Sequence, residues 1–248
     1  MIQLKSPREI EVMAAGGRIL AATHRHIQPA IAPGISTGEL DAMVEAFIRG
    51  QGAVPSFKGL YGFPASACIS INDEIVHGVP SDKRRLAEGD LVKLDVTAEL
   101  AGYMADACIT VGVGRVSEAA KRLMAAAESA FKKGLREMRD GRRALDVGRV
   151  VEDEVTRRGF SVVRELQGHG IGHTIHEEPM IPNWADPEAA EWLCEGMVLT
   201  LEPIIAAGDG AMYEDDDGWT LRTQDGSLAA HHEHTMILTR GAPLLVTA

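Results

Sequence analysis

Four carboxylates set into apolar, strand-like segments constrain this chain of 248 residues more than any other feature. Asp95 follows Leu91-Val92-Lys93-Leu94, and Glu202 follows Met197-Val198-Leu199-Thr200-Leu201. Glu233 leads into His234-Thr235-Met236-Ile237-Leu238, and Asp106 stands just before Cys108-Ile109-Thr110-Val111. A charge on a buried strand is costly unless something compensates it. Taken singly, each reads equally well as a solvated strand end making turn hydrogen bonds. If Ala101-Gly102 supplies a two-residue hairpin turn, however, Asp95 faces Cys108 and Asp106 lies diagonally on the same face, within reach of a shared ion. Together the four carry −4, so bringing them together calls for cations, and two divalent ions restore neutrality.

A second signal is Gly168-His169-Gly170-Ile171-Gly172-His173-Thr174-Ile175-His176-Glu177-Glu178-Pro179. His169 and His173 have the i,i+4 spacing of a helical zinc pair. Three glycines would each cost about 1 kcal/mol inside a helix, though, and Pro179 breaks any HExxH reading of His176. The segment is expected to be extended, with His169 and His173 on one side and His176 on the other unless a turn intervenes. Alternating glycines let something approach the backbone closely; an ordinary glycine-rich loop with incidental histidines fits the same residues. Four carboxylates and one imidazole suit hard-to-borderline ions such as Mn²⁺, Fe²⁺ or Co²⁺ better than a structural zinc. Two-metal sites of that kind lower the pKa of a bridging water from 15.7 toward ~7 and polarise a carbonyl. The chemistry indicated is metal-assisted hydrolysis. His231, His232 and His234 read as the solvated rings of a strand end.

Capping signals predict the helices. Ser6-Pro7-Arg8-Glu9 and Ser36-Thr37-Gly38-Glu39 each open an apolar stripe, the second closing at Gly50 or Gly52. Further helices are predicted over Ser117–Met138 and Ala144–Arg158, with short strands at 68–71, 91–96 and 108–111. A shift of 107 residues aligns Gly34 with Gly141, Leu40 with Val147, Glu45 with Glu152 and Gly52 with Gly159. Two amphipathic helices share some of that by chance; a true repeat implies a pseudo-symmetric α+β unit with a site between its halves, roughly 1–112 and 113–248, in one catalytic domain.

A net charge of −11 and a pI near 5.3 argue against a nucleic-acid binder, and Lys83-Arg84-Arg85 reads as a solvated loop. Three cysteines without CxxC spacing point to a reducing compartment. No stretch approaches 18 uninterrupted apolar residues, so a cytoplasmic protein without membrane contact is expected.

Over nearly its whole length the chain resembles the type I methionine aminopeptidases. The matching segments are Cys68-Ile69-Ser70-Ile71-Asn72, Val76-His77-Gly78-Val79-Pro80, Asp95-Val96-Thr97, Asp106 and the Gly168–Pro179 block. They continue with Gly196-Met197, Thr200-Leu201-Glu202-Pro203, Asp217-Gly218-Trp219-Thr220 and Glu233-His234-Thr235. The resemblance implies the α+β pita-bread fold, pseudo-two-fold symmetric with a central antiparallel sheet and outer helices. It implies removal of N-terminal methionine from nascent proteins, a small second residue being preferred, by water attack on the first peptide bond. By that pattern Asp95, Asp106, His169, Glu202 and Glu233 hold two divalent cations (Co, Mn, Fe or Zn). Asp106 and Glu233 bridge, Asp95 serves one ion, and His169 with Glu202 the other; Glu202 thereby also counts as catalytic. His77 and His176 would contact the substrate at the scissile amide, and Phe63, Cys68, His77 and Trp219 would line the methionine pocket. The implied partners are nascent chain N-termini at the ribosome, met by a monomer.

The match departs from the family at Leu60, which falls in Leu60-Tyr61-Gly62-Phe63-Pro64 where members often have aromatic-His-Gly-aromatic-Pro, at Ile175, where an aromatic is common, and at His173, where a basic or small residue is usual. These departures touch the pocket, not the ligands. The chain shows no N-terminal extension of the zinc-finger or SH3-binding type, so ribosome docking by that route is not expected. A prolidase or aminopeptidase P would use the same ligands, but usually carries a large additional domain for which the roughly 65 residues before Cys68 leave no room. A non-catalytic relative would be expected to lose ligands, and all five positions are filled.

Overall fold

The first two helices begin where their hydroxyl caps stand. In the computed structural model, which describes residues 2–248, helix α1 (Pro7–Ile27) starts at Ser6, whose side chain accepts the Glu9 N–H while Glu9 accepts the Ser6 N–H at 2.7 Å. Helix α2 (Thr37–Gly50) repeats the device with Ser36 and Glu39. Strands β1 (Val54–Pro55), β2 (Cys68–Ile71) and β3 (Glu74–Val76) follow. A long hairpin comes next, β4 (Leu91–Leu100) and β5 (Tyr103–Gly112). Its turn is Ala101-Gly102, with φ of 50° and 83°, the left-handed pair that a two-residue hairpin of matching twist needs.

Helices α3 (Glu118–Leu135) and α4 (Ala144–Arg157) come next. The α3 helix stops three residues short of Met138, which is buried in the tail that follows it. The same offset of 107 residues separates Thr37 from Ala144 and Gly50 from Arg157. Short strands then alternate with loops: β6 (Ser161–Val162), β7 (Gly168–Gly170), β8 (Glu177–Ile181), β9 (Val198–Leu201) and β10 (Ile204–Ala206). The last are β11 (Met212–Glu214), β12 (Leu221–Thr223), β13 (Ala229–His231), β14 (Glu233–Ile237) and β15 (Leu244–Leu245).

An antiparallel sheet in the order β1-β4-β5-β14-β9-β7-β8 forms the centre, with β2 also on β4 and β15 on β14. One face of that sheet is apolar. Val92, Leu94 and Val96 pack with Leu20, Leu40 and Val44 of α1 and α2, and Leu199, Leu201 and Met236 pack with Leu123, Phe131 and Val151 of α3 and α4. Because side chains alternate along a strand, the opposite face carries Asp95, Thr97, Asp106, Thr200 and Glu233. Two smaller sheets, β13-β10-β6 and β11-β12-β3, flank it.

The basic run Lys83-Arg84-Arg85 is not simply a solvated loop. Arg84 is half-buried, pairs with Glu74 and donates to the Val79 carbonyl at 2.7 Å, tying the loop to β3. Among the described residues no helix is long and apolar enough to cross a membrane.

His24 on α1 is buried, and its Nε2 has no hydrogen-bond partner among the described residues. Burial, helped by His234 and His232 nearby, holds its ring down at about 3. A folded pKa below the unfolded value of ~6.5 means that protonation costs nothing above pH ~6.5 and then about 1.4 kcal/mol per pH unit on acidification. In urea unfolding of the metal-free protein, wild type is expected to lose about 2 kcal/mol relative to His24→Phe between pH 7 and pH 5. An unchanged difference would show that the ring takes up its proton freely in the fold.

Candidate metal centre and active site

Strand register assembles the site. Asp95 on β4 stands opposite Cys68 on β2 and Cys108 on β5, and Cys108 stands opposite Glu233 on β14. Residues directly opposite across a ladder point to the same face, so Cys68, Asp95, Cys108 and Glu233 form one row. Asp106, opposite Thr97 and two residues from Cys108, shares that face, as the hairpin geometry anticipates. The β14–β9 register pairs His234 with Leu201, which brings Glu202 beside Glu233 just past the end of β9. All four carboxylates are buried, none more than 8% exposed.

Hydroxyls aim these groups. Thr97 donates to Asp106 Oδ1 at 2.9 Å, and Thr200 donates to Glu202 Oε1 at 2.9 Å. Thr235 accepts the Asp106 N–H at 2.9 Å and donates to its carbonyl at 2.7 Å. His169 bonds the Gly170 carbonyl through Nδ1 at 2.8 Å, which puts the proton on that nitrogen and leaves the Nε2 lone pair facing Glu202, 3.6 Å from Oε1. Asp95 Oδ1 and Glu233 Oε1 are buried with no partner among the described residues. Burial pushes Asp95, Glu202 and Glu233 well above the usual carboxylate range, neighbouring carboxylates adding to it, and raises Asp106 to about 7.

Donor atoms of Asp106, His169 and Glu233 lie within 4.8 Å of one another, and so do those of Asp95, His231 and Glu233. Oxygen-rich clusters with one nitrogen, orphaned lone pairs and a net negative charge fit divalent cations.

The histidines fall into three groups. The stretch from Gly172 to His176 bends, and β7 pairs with β8, so the simple extended alternation does not hold. The bend carries His176 back to His169, edge-on with centroids 4.5 Å apart. It turns His173 outward, where its Nδ1 contacts the Gly102 carbonyl at 2.9 Å and its ring lies 4.2 Å from that of Tyr103. Lys5 holds the bend through an ion pair to Glu177 at 2.5 Å. What approaches the glycines is neighbouring backbone: a Cβ at Gly168 would sit 2.7 Å from the Thr200 carbonyl oxygen, and one at Gly170 would collide with that of Glu178.

His77 follows β3 with a φ of 59° and is half-buried; burial, with His176 adding to it, lowers its pKa to about 4. His231, read from the sequence as solvated, is 2% exposed, with Nε2 3.3 Å from Glu233 Oε2 and 4.0 Å from Glu202 Oε2. Sequence reasoning missed it, although its i,i+2 spacing to Glu233 was the available signal. His232 and His234 are also not freely solvated: both are half-buried against the Phe131 ring, at 5.0 and 5.2 Å.

The four carboxylates, His169 and His231 line one part of a cavity of about 280 Å³. Phe63 and Cys68 are buried in its wall, with Trp219 edge-on to Phe63 at 5.2 Å. Ile175 and Leu60 add to the apolar lining, and His77 and His176 line the same cavity.

Without a cation the cluster is costly to fold, because at neutral pH its buried carboxyls keep protons that the unfolded chain would release. Glu233→Gln removes one such carboxyl with nearly unchanged shape, so the metal-free variant is expected to melt a few degrees above the metal-free wild type. Added Co²⁺ or Mn²⁺ should raise the melting point of wild type far more than that of the variant. Equal melting points without metal would mean that burying the Glu233 carboxyl carries no such cost.

The model of metallopeptidase family M24 matches residues 11–240. A methionine aminopeptidase 1 of Bacillus subtilis is 44% identical over 239 residues, covering 96% of each chain. The crystal structure of methionine aminopeptidase from Rickettsia prowazekii superposes with a TM-score of 0.97 at 35% identity over the full length of both chains. An Xaa-Pro dipeptidase from Bacillus anthracis shares the fold at a TM-score of 0.78 and 26% identity, with this chain spanning 61% of its length. On these grounds the chain belongs to metallopeptidase family M24, among its methionine aminopeptidases.

Proposed function

We propose that this chain removes the N-terminal methionine from nascent proteins and peptides, preferring a small second residue, by hydrolysing the first peptide bond. The observation that carries this reading is one cavity whose lining joins apolar side chains, among them Phe63, Cys68 and Trp219, to four buried carboxylates. The whole cavity, its acidic floor included, is at the small end of ligand pockets, which leaves its apolar end room for about one side chain. A thioether gains ~0.3–1.5 kcal/mol at an aromatic edge, and Phe63 and Trp219 provide such edges.

Asp95, Asp106, His169, Glu202 and Glu233 would hold two divalent cations of the Co, Mn, Fe or Zn class. Bound ions of this kind activate a water nucleophile and polarise the scissile carbonyl. The protein does the rest. The threonine hydroxyls keep the carboxylates aimed, and the His169–Gly170 bond keeps a nitrogen lone pair toward the centre. His77 and His176 contact the substrate: an imidazole N–H at the cleft donates to the oxygen on which charge develops or to the leaving nitrogen, a contribution of ~10²–10⁴-fold. The domain works as a single catalytic unit of two related halves, 1–112 and 113–248. It meets nascent chains as a monomer at the ribosome in the cytoplasm, which accords with its three free thiols.

Chelated protein is expected to be inactive on Met-Ala-Ser and to recover when reconstituted with one of these metals. His77→Ala and His176→Ala should lower kcat while metal content, by elemental analysis, stays at the wild-type value. Full turnover after chelation sinks the metal reading; lost metal in either variant makes that histidine a ligand instead.

Specificity follows from two wall positions. Leu60 and Ile175 offer less wall than aromatics would, and one methylene of misfit is worth ~1–3 kcal/mol. Restoring the wall in a Leu60→Tyr/Ile175→Phe variant should raise the ratio of kcat/KM for Met-Ala-Ser over Leu-Ala-Ser several-fold. If the ratio does not move, those positions do not shape the slot.

A further inference from the structure

His231 is the one histidine ring of the site with nothing to do for the structure. It is 2% exposed, and neither Nδ1 nor Nε2 finds a hydrogen-bond partner among the described residues. His169, by contrast, satisfies Nδ1 on the Gly170 carbonyl. Leaving a buried polar atom unpaired costs roughly 1–3 kcal/mol, so two of them on one ring mark a place where a partner belongs.

The backbone holds the ring there deliberately. Thr110 Oγ1 accepts the His231 N–H at 2.9 Å and donates to its carbonyl at 2.7 Å, and β13 pairs His231 with Ile204 on its other edge. Nε2 faces Glu233 Oε2 at 3.3 Å and Glu202 Oε2 at 4.0 Å. Donor atoms of Asp95, His231 and Glu233 fall within 4.8 Å of one another, next to the Asp106, His169 and Glu233 set and joined to it through Glu233. Asp95 Oδ1 and Glu233 Oε1 are themselves without partners.

We propose that His231 is a sixth donor of the metal centre, holding the ion on the Asp95 side together with Asp95 and Glu233. The inference rests on the dinuclear reading above and extends it. Each ion then has one imidazole, His169 on one side and His231 on the other. A nitrogen donor strengthens binding of later transition ions relative to Mn²⁺, so the Asp95 side discriminates between metals more sharply than an all-carboxylate site.

The test is titration of the chelated full-length protein with Co²⁺ and with Mn²⁺, followed by calorimetry and by the visible absorption of bound cobalt. His231→Gln and His231→Phe are compared with wild type, with circular dichroism as the check on folding; the near-isosteric glutamine variant carries the test if the phenylalanine variant unfolds. One of the two binding steps is expected to weaken by at least the ~10–100-fold that losing a mere outer-shell partner costs, more for Co²⁺ than for Mn²⁺, with a shifted cobalt spectrum. A folded variant that binds both ions with wild-type affinity and spectrum overturns the assignment. Asp95→Asn in the same titration separates the two claims. If it weakens binding while the His231 variants do not, His231 alone is wrong; if it too leaves both steps unchanged, the dinuclear reading itself falls.

Discussion

The hydrogen-bond ladder that joins β4, β5 and β14 sets Asp95, Cys108 and Glu233 in one line across the sheet, with Asp106 one step along it. Everything at the site depends on that register. A slip of one residue in a strand turns its whole set of side chains to the other face. Such a slip here would drive Asp95 or Glu233 into the apolar layer beneath α1 to α4 and bring leucines into the cleft. The apolar face therefore does more than stabilise the sheet. Val92, Leu94 and Val96 on one side, and Leu199, Leu201 and Met236 on the other, make every alternative register expensive.

Holding four carboxylates together works against folding, and the molecule offsets it with hydroxyl groups. Thr97, Thr200 and Thr235 each bond to Asp106 or Glu202, through side chain or backbone, fixing orientation without adding charge. The unpartnered oxygens of Asp95 and Glu233 are what a cation would take up. Preorganisation of this kind places the cost in the folding of the apo-protein and removes it from the moment of binding.

The apolar wall and the acidic floor come from different parts of the chain. Phe63 and Cys68 belong to the segment before the first long hairpin, Ile175 and His176 to the bend after β7, and Trp219 to the loop before β12. Asp217 shapes that last loop by accepting the Trp219 and Thr220 N–H groups at 2.8 and 2.7 Å.

Local chemistry was legible in the sequence because its causes are local. The caps at Ser6 and Ser36 start helices through contacts three residues away, and Ala101-Gly102 closes a hairpin whose turn fixes the pairing of Asp95 with Cys108 and so the place of Asp106. The family motifs extended that to the rest of the site. Three features depended on contacts that no short window contains. The bend held by Lys5 and Glu177, 172 residues apart, folds His176 back onto His169 and sends His173 to Tyr103. Arg84 leaves solvent for Glu74 because β3 passes beside it. His231 is buried because Thr110, 121 residues away, clamps its backbone while β14 lays Glu233 against Cys108. Residue type and spacing determine which groups can bind a cation; whether a particular ring meets it or meets water is decided by which distant strand covers it, and that is a property of the assembled sheet.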